Sequence, residues 1–345
     1  MAHPRSSDAA ILFGGSGPER LVSVATAQSF CAHLDEAELW FLGTDGACTR
    51  VSAADLLEHP RPFEEPLTPR HAPFASTLEA AIVEARRRSL VLVLGLHGGE
   101  GEDGRLAAQL EAADVAFTGS GSEASAKAFD KSVAKAIASD VGARVPPAFV
   151  LAADDRTTPP EVSEWVAVTG VVAKPVRDGS SHGLRFLLTA TQLADFLQRR
   201  DRSEYLIEPM VHGVEATVGV LDDDDGARGL EPVEIRLPSG ATFDYQSKYL
   251  DARTEELCPS TFDRSVIDAL KTAAVRVHRA IGAEGYSRSD FIVPADGQPV
   301  FLEINTLPGM TRSSLFPREL AVAGISMRDF LLQQINRAAS RTARP

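Results

Sequence analysis

The sequence predicts an α/β unit followed by two α+β units, and three observations carry that prediction. The chain opens with an apolar run, AAILF at 9–13, that leads through GGSGPER into a helical pattern. A second apolar run, SLVLVLGLHGG at 89–99, ends in glycines, as a buried parallel strand does at its functional edge. Beyond Pro146 and Pro147 the texture changes to short β-segments joined by glycine-containing turns. Boundaries near 121 and 208 divide the 345 residues into three domains, 1–121, 122–207 and 208–345.

Each element follows from its local pattern. In the first unit Val22, Ala25, Phe30 and Leu34 share one helical face. Prolines crowd residues 60–73, which cannot continue a helix or a central strand and are expected as a surface loop. From Glu123, the spacing of Phe129, Val133 and Ile137 predicts one helix, capped by Ser122 and ended before Pro146. TGVVAKPV, the loop RDGSSHG and LRFLLT predict a hairpin, and YLIEPM with VEATVGVLD predicts another. A helix with Val266, Leu270, Ala274 and Val277 on one face leads into SRSDFIV, a PADG turn and FLEIN. No internal repeat or low-complexity tract interrupts this order.

Composition narrows the classes of partner. A formal net charge of -13 argues against nucleic acid or an anionic membrane, since both call for basic surface. Any anionic ligand must be held by locally placed cations. Cys31, Cys48 and Cys258 are widely spaced and odd in number, which fits reduced thiols and not a disulfide framework or zinc site. The first residues lack the apolar run of a signal peptide, and no stretch of about 18 apolar residues could span a bilayer. A soluble, cytoplasmic protein is expected.

FLEIN at 301–305 places a carboxylate and a carboxamide in an apolar strand. Side chains alternate across a pleat, so Glu303 and Asn305 share one face while Phe301, Leu302 and Ile304 read as core. In SRSDFIV the same alternation puts Arg288 and Asp290 together, and the short PADG connection makes the two strands antiparallel neighbours. Asp290, Glu303 and Asn305 are hard oxygen donors of the kind that hold Mg²⁺ beside phosphates. The alternative is a buried ion pair of Arg288 with Asp290 or Glu303, with Asn305 satisfying a turn. RDGSSHG, with Ser180 and Ser181, could wrap phosphate oxygens as a flap, flanked by Lys131 and by Lys174 at the end of VVAKP. Neither GxxxxGK[ST] nor GxGxxG is present, so P-loop and dinucleotide readings lose their support. Backbone at 208–211 could meet adenine, with Glu208 or Glu215 reaching its amine or the ribose; two exposed edge carboxylates are the plainer reading.

LHGGEGEDG at 96–104, KPVRDGSSHG at 174–183, FDYQSKYL at 243–250, SRSDF at 287–291 and FLEINTLPGMTRSSL at 301–315 form an ordered set, preceded by GGSGPERLVS. The set resembles the D-alanine-D-alanine ligases of the ATP-grasp superfamily across almost the whole chain. The resemblance implies a Rossmann-like α/β domain and two α+β domains that grip ATP between them. It implies that Asp290, Glu303 and Asn305 bind two Mg²⁺ (or Mn²⁺) bridging the ATP phosphates, and that Lys131 and Lys174 contact phosphates or adenine. Ser181 would join the phosphate flap, Glu208 and Val211 would meet the purine, and Glu215 the ribose. Glu19 would fix the ammonium of the first D-alanine, with His97 near its carboxylate. Ser180 and Tyr249 would join Glu19 in a triad closing the site, with Lys248 beside the transferred phosphate. Arg288, the Gly309 amide, Ser314 and Leu315 would surround the reacting carbonyl and the second substrate's carboxylate. A homodimer is the expected assembly.

Plainer readings stand beside these. His97 before two glycines is otherwise a turn histidine, and Glu19 at a helix start is favoured by the helix dipole whatever its ligand. Glu102 and Asp103 could simply cap the helix beginning near Gly104. The sequence departs from the family pattern at Pro209, His182 and Leu21. Pro209 has no N–H, so Val211 must supply any donor to adenine. Rival functions are a ligase with a different acceptor, such as D-lactate or D-serine, a silent nucleotide-binding module, and a dinucleotide-dependent oxidoreductase. The Lys248–Tyr249 pair resembles the dipeptide-forming type.

Overall fold

The computed structural model describes residues 8–179, 182–236 and 254–342. Three sheets organise them. The first has the order β3-β2-β1-β4, built from β1 (Ala9–Gly14), β2 (Glu38–Leu42), β3 (Cys48–Arg50) and β4 (Val91–Leu94). β1 is parallel to both β2 and β4, and every residue of β1 is buried, which explains its unbroken apolar run. Helix Arg20–Cys31 follows the glycine loop, with Val22, Ala25 and Phe30 buried on it; Leu34 is buried just beyond its end. Residues 60–73 form no helix or strand, as their prolines require.

The second sheet, β5-β8-β6-β7, comprises β5 (Phe149–Leu151), β6 (Val171–Pro175), β7 (Arg185–Leu187) and β8 (Tyr205–Pro209). β6 and β7 pair antiparallel, Val171 opposite Leu187, as the hairpin pattern predicts. The third sheet is β12-β11-β9-β13-β14, with β10 also on β9. Its strands are β9 (Val214–Asp223), β10 (Gly226–Gly229), β11 (Val233–Arg236), β12 (Glu255–Leu257), β13 (Tyr286–Val293) and β14 (Val300–Asn305).

Three local expectations are corrected. YLIEPM and VEATVGVLD do not form a hairpin: β8 pairs with β5 and β6, whereas β9 pairs with β10, β11 and β13. The chain between them, 210–213, carries it from one sheet to the other instead of turning it back. The helix expected from Glu123 is two helices, Ser122–Phe129 and Lys131–Asp140, broken at Asp130, whose extended backbone cannot continue either. Asp130 caps the second helix, its Oδ1 accepting from the amides of Ser132 and Val133. Ser122 is the first helical residue and not the cap, and Val133 is exposed while Lys131, Ala134, Lys135 and Ala138 face inward. Leu302 is not core. The β13–β14 register shifts after Asp290, pairing Asp290 with Glu303 but Phe291 with Phe301. Leu302 is the extra residue of this bulge and lines the same cleft as Glu303.

The apolar side chains gather into three clusters. One joins the first sheet to Phe316, Leu320, Phe330 and Ile335 from the last two helices, Leu315–Val322 and Met327–Thr342. A second packs Ala124, Ala128, Ala134 and Ala138 against β9, β13, β14 and the helix Arg264–Ile281. The third fills the second sheet. The helices at 122–140 therefore share a core with the last sheet. Asp130→Ala is expected to lower stability by about 1 kcal/mol through loss of the cap. A fall in the urea unfolding midpoint with an unchanged slope would report it.

Candidate active site

A cleft of 1170 Å³ runs between the sheets, and most of the residues picked out from the sequence line it. On its floor, cross-strand pairing sets Arg288 opposite Asn305 and Asp290 opposite Glu303. Residues directly opposite share a face, so all four converge as alternation predicts. Arg288 also closes a two-pronged bond on Asp290, Nε to Oδ1 and Nη2 to Oδ2, both at 2.9 Å. The Thr217 hydroxyl donates to Asp290 Oδ1 at 2.6 Å, and Asn305 Oδ1 accepts from the Leu307 amide at 2.7 Å. The ion pair and the turn bond named as alternatives are both present, in addition to the convergence.

Cations stand over this floor. Lys131, the first residue of its helix, lies 3.6 Å from Glu303 Oε2 and donates to the Asp178 carbonyl at the base of the flap. Lys174 is not a solvated strand end. Its Nζ is 2.7 Å from Glu208 Oε2, and Lys135 Nζ is 2.7 Å from Glu208 Oε1, all three groups buried. Burial alone would raise the Glu208 pKa, but Lys174 and Lys135 outweigh it and hold the carboxyl below its usual range. Lys135 moves the other way, to about 7, because burial and the Lys174 charge outweigh Glu208. The Glu208 carboxylate is thus shared between two lysines and is not the exposed edge carboxylate of the plainer reading. Val211 and Glu215 line the cleft beyond it.

The opposite end of the cleft is built by glycine loops. Glu19 sits at the N-cap of helix Arg20–Cys31 but makes no side-chain cap bond. Its carboxyl lies against Gly98 and Gly179: a Cβ at Gly98 would fall 2.9 Å from Oε2, and one at Gly179 3.5 Å from Oε1. Gly98 also has a φ of +65°, so only glycine serves there. His97 Nε2 lies 2.7 Å from the Thr26 hydroxyl. Burial depresses its pKa to about 4 against an opposing bond to the Leu307 backbone, with the Arg288 charge acting in the same direction as burial. Glu102 does not cap the helix after Gly104; Asp103 bonds the Arg105 amide there, while Glu102 Oε1 accepts from the Gly98 amide at 2.9 Å. Burial raises the Glu102 pKa, so the two neighbours are both pushed towards neutrality. Gly309, Ser314 and Leu315 line the cleft near Arg288, and the Ser314 hydroxyl is held by Thr311. Ser180, Ser181, Lys248 and Tyr249 lie outside the described residues.

Comparison with known proteins fits this arrangement. Residues 8–120 match the family model described as D-ala D-ala ligase N-terminus, and residues 137–336 the one described as D-ala D-ala ligase C-terminus. The chain belongs to the D-alanine–D-alanine ligase family. A D-alanine–D-alanine ligase of Syntrophobacter fumaroxidans is 35% identical over 92% of this chain and 93% of its own length. Two solved structures share the fold over 96% of the chain: VanG D-Ala:D-Ser ligase from Enterococcus faecalis, with TM-score 0.76, 24% identity and 98% of its own chain covered, and a D-alanine–D-alanine ligase from Bacillus anthracis complexed with ATP, with TM-score 0.71, 23% identity and 97% covered. The ATP-grasp architecture expected for the family is the one observed.

Lys135 and Glu319 are not among the residues that the sequence leads one to expect at the site, and Glu102 is expected only as a helix cap. Lys135 stands four residues after Lys131, on the same helical face, and that spacing was its available signal. Glu319 falls three residues after Phe316 on the buried side of its helix, a charged residue in an apolar stripe. The oxygen donors do fit a hard cation. Each carboxylate oxygen has lone pairs beyond those used by Arg288 and Thr217, and the set contains no nitrogen or sulfur ligand.

The depressed pKa of His97 has a defined consequence. As pH falls from about 6.5 towards 4 the unfolded chain takes up a proton that the folded chain refuses, so stability drops across that window and is unaffected above it. His97→Gln is expected to flatten this part of the curve. Urea midpoints of both proteins at pH 4.5, 5.5 and 7.5 test it; equal slopes for the two would contradict it.

Proposed function

We propose that this chain uses ATP to join two D-alanines into D-alanyl-D-alanine through an acyl phosphate, supplying peptidoglycan precursors. One observation carries the reading: Lys131, Lys174, Asp290, Glu303 and Asn305 line the same enclosure as Glu19, His97, Gly309 and Ser314. A phosphoryl donor and two amino acids can therefore meet in one place. Family membership supports the same conclusion.

A carboxylate is a poor electrophile, because its charge repels a nucleophile and its leaving group would be oxide. Transfer of the γ-phosphoryl group neutralises that charge and supplies a leaving group. Asp290, Glu303 and Asn305 would hold two Mg²⁺ (or Mn²⁺), which when bound draw charge off the phosphate oxygens. Lys131 and Lys174 add positive charge along the same path, so positioning and electrostatics are the protein's share. The Glu208 side chain keeps Lys174 in place, the backbone at 208–211 meets the purine through Val211, and Glu215 takes the ribose.

Glu19, seated between Gly98 and Gly179, receives the ammonium of the first D-alanine, and His97 stands near its carboxylate. With a pKa of about 4 His97 is a weak base, which suits orientation better than proton removal. The second D-alanine lies with its carboxylate towards Ser314 and Leu315. Its amine attacks the acyl carbon, the tetrahedral oxyanion faces Arg288 and the Gly309 amide, and collapse breaks the C–O bond to phosphate, releasing inorganic phosphate and the amine's proton with the dipeptide. The family resemblance adds Ser180, Ser181, Lys248 and Tyr249 as further groups for the transferred phosphate and the first substrate.

Purified protein with Mg-ATP is expected to release phosphate when D-alanine is added. Glu303→Gln should lower that rate at least about 100-fold, the loss of one group that stabilises the moving charge. Screening D- and L-amino acids and D-lactate by phosphate release, with product mass, tests reaction class and acceptor together. A response confined to L-amino acids would overturn the D-alanine assignment.

A further inference from the structure

Glu319 is the one acidic side chain with no exposed surface among the described residues, and nothing in the proposed chemistry uses it. It projects from the helix Leu315–Val322, whose first turn carries Leu315 into the cleft. Its Oε1 accepts the Gly219 amide at 2.6 Å. Gly219 lies on β9 directly opposite Arg288 of β13, so position 219 and the Arg288 side chain belong to the same face of the sheet.

The surroundings explain both residues. β9 pairs with β11 through 215–217 and with β10 through 220–223, and at Gly219 the ladder passes from one to the other. The Gly219 carbonyl accepts from the Leu230 amide at 2.8 Å, but its amide has no strand carbonyl to meet and turns to Glu319. A Cβ at Gly219 would lie 2.7 Å from Glu319 Oε2, 2.9 Å from the Phe316 ring and 3.0 Å from Leu230. Glycine is thus what lets the helix press onto the sheet beside Arg288. Burial raises the Glu319 pKa well above the usual carboxylate range, with Asp290 adding to it and the Gly219 bond and Arg288 opposing. Oε2 has no hydrogen-bond partner among the described residues. A methionine or leucine would pack with Phe316 and Leu320 at no desolvation cost, yet would leave the Gly219 amide unpaired in a dry interior.

We propose that Glu319 is a positioning residue: its carboxyl anchors the helix that begins at Ser314 and Leu315 to β9, and so fixes the acceptor end of the cleft against Arg288. The inference rests on the ligase reading for the roles of Arg288, Ser314 and Leu315. It assigns the anchor to hydrogen bonding and not to charge, which separates two variants. Glu319→Gln retains an oxygen for the Gly219 amide; Glu319→Met has similar length and none.

Steady-state phosphate release by the full chain, with Mg-ATP and varied D-alanine, tests it. E319Q is expected to keep kcat within about threefold of the unchanged protein, and E319M to lose about tenfold or more. The KM for ATP should stay within about twofold in both, because Lys131, Lys174 and Glu208 stand on other elements, while in E319M the KM for the second D-alanine should rise. Thermal midpoints should place E319Q above E319M by about 2 °C or more. Wild-type kinetics in E319M, or E319Q as impaired as E319M, would overturn the proposal. If the unchanged protein released no phosphate with D-alanine the ligase reading would fall, and the order of the thermal midpoints would still decide the anchor.

Discussion

A slip of one residue between β13 and β14 would turn Glu303 and Asn305 to the far face of their sheet, away from Arg288 and Asp290. Among the described residues, Asp290, Glu303, Asn305 and the Arg288 guanidinium all come from these two strands, so the site rests on this pairing. Several features hold the register. β13 is paired along its whole length with β9, from Tyr286 opposite Leu221 to Val293 opposite Val214. Phe291 and Phe301 stack edge to face behind the site, with ring centroids 5.8 Å apart. The bulge at Leu302 then absorbs one residue, so that the strand carries core on one side of Phe301 and cleft lining on the other.

Charge is arranged against the trend of the chain. The protein as a whole is acidic, with a net charge of -13, yet Lys131 and Lys174 line the cleft and Lys135 is buried against Glu208. Burying lysines together is costly, and Glu208 between two of them is what makes the cluster tolerable. Lys131 faces a second carboxylate, with Glu303 Oε2 3.6 Å from its Nζ. Glu208 belongs to β8 and Lys174 to the neighbouring β6, while Lys135 reaches in from a helix that shares its core with the last sheet. The cluster therefore ties the second sheet to the third along the cleft.

At the amino-acid end burial acts in the other direction. His97 and Glu102 are both moved towards their neutral forms, and the glycines around them admit the backbone closely enough to pack Glu19 between two loops. Glu19, His97 and Glu102 all line the cleft at this end.

What the sequence determined by itself is whatever repeats with the backbone's own period. Alternation placed Arg288 with Asp290 and Glu303 with Asn305; the 3.6-residue repeat marked the buried face of helix Arg264–Ile281; the ordered motifs pointed to the family. These are local properties, fixed by the geometry of one strand or one helix. The tertiary structure alone decided which sheet each of β8 and β9 joined, that Asp130 interrupts a helix, that Leu302 turns into the cleft, that Lys135 and Lys174 enclose Glu208, and that Glu319 bonds Gly219. Apart from the Asp130 break, whose cap bonds are local, these depend on pairing or packing against another segment, and a buried polar group takes whichever partner the packing brings within reach, a choice that no local pattern encodes.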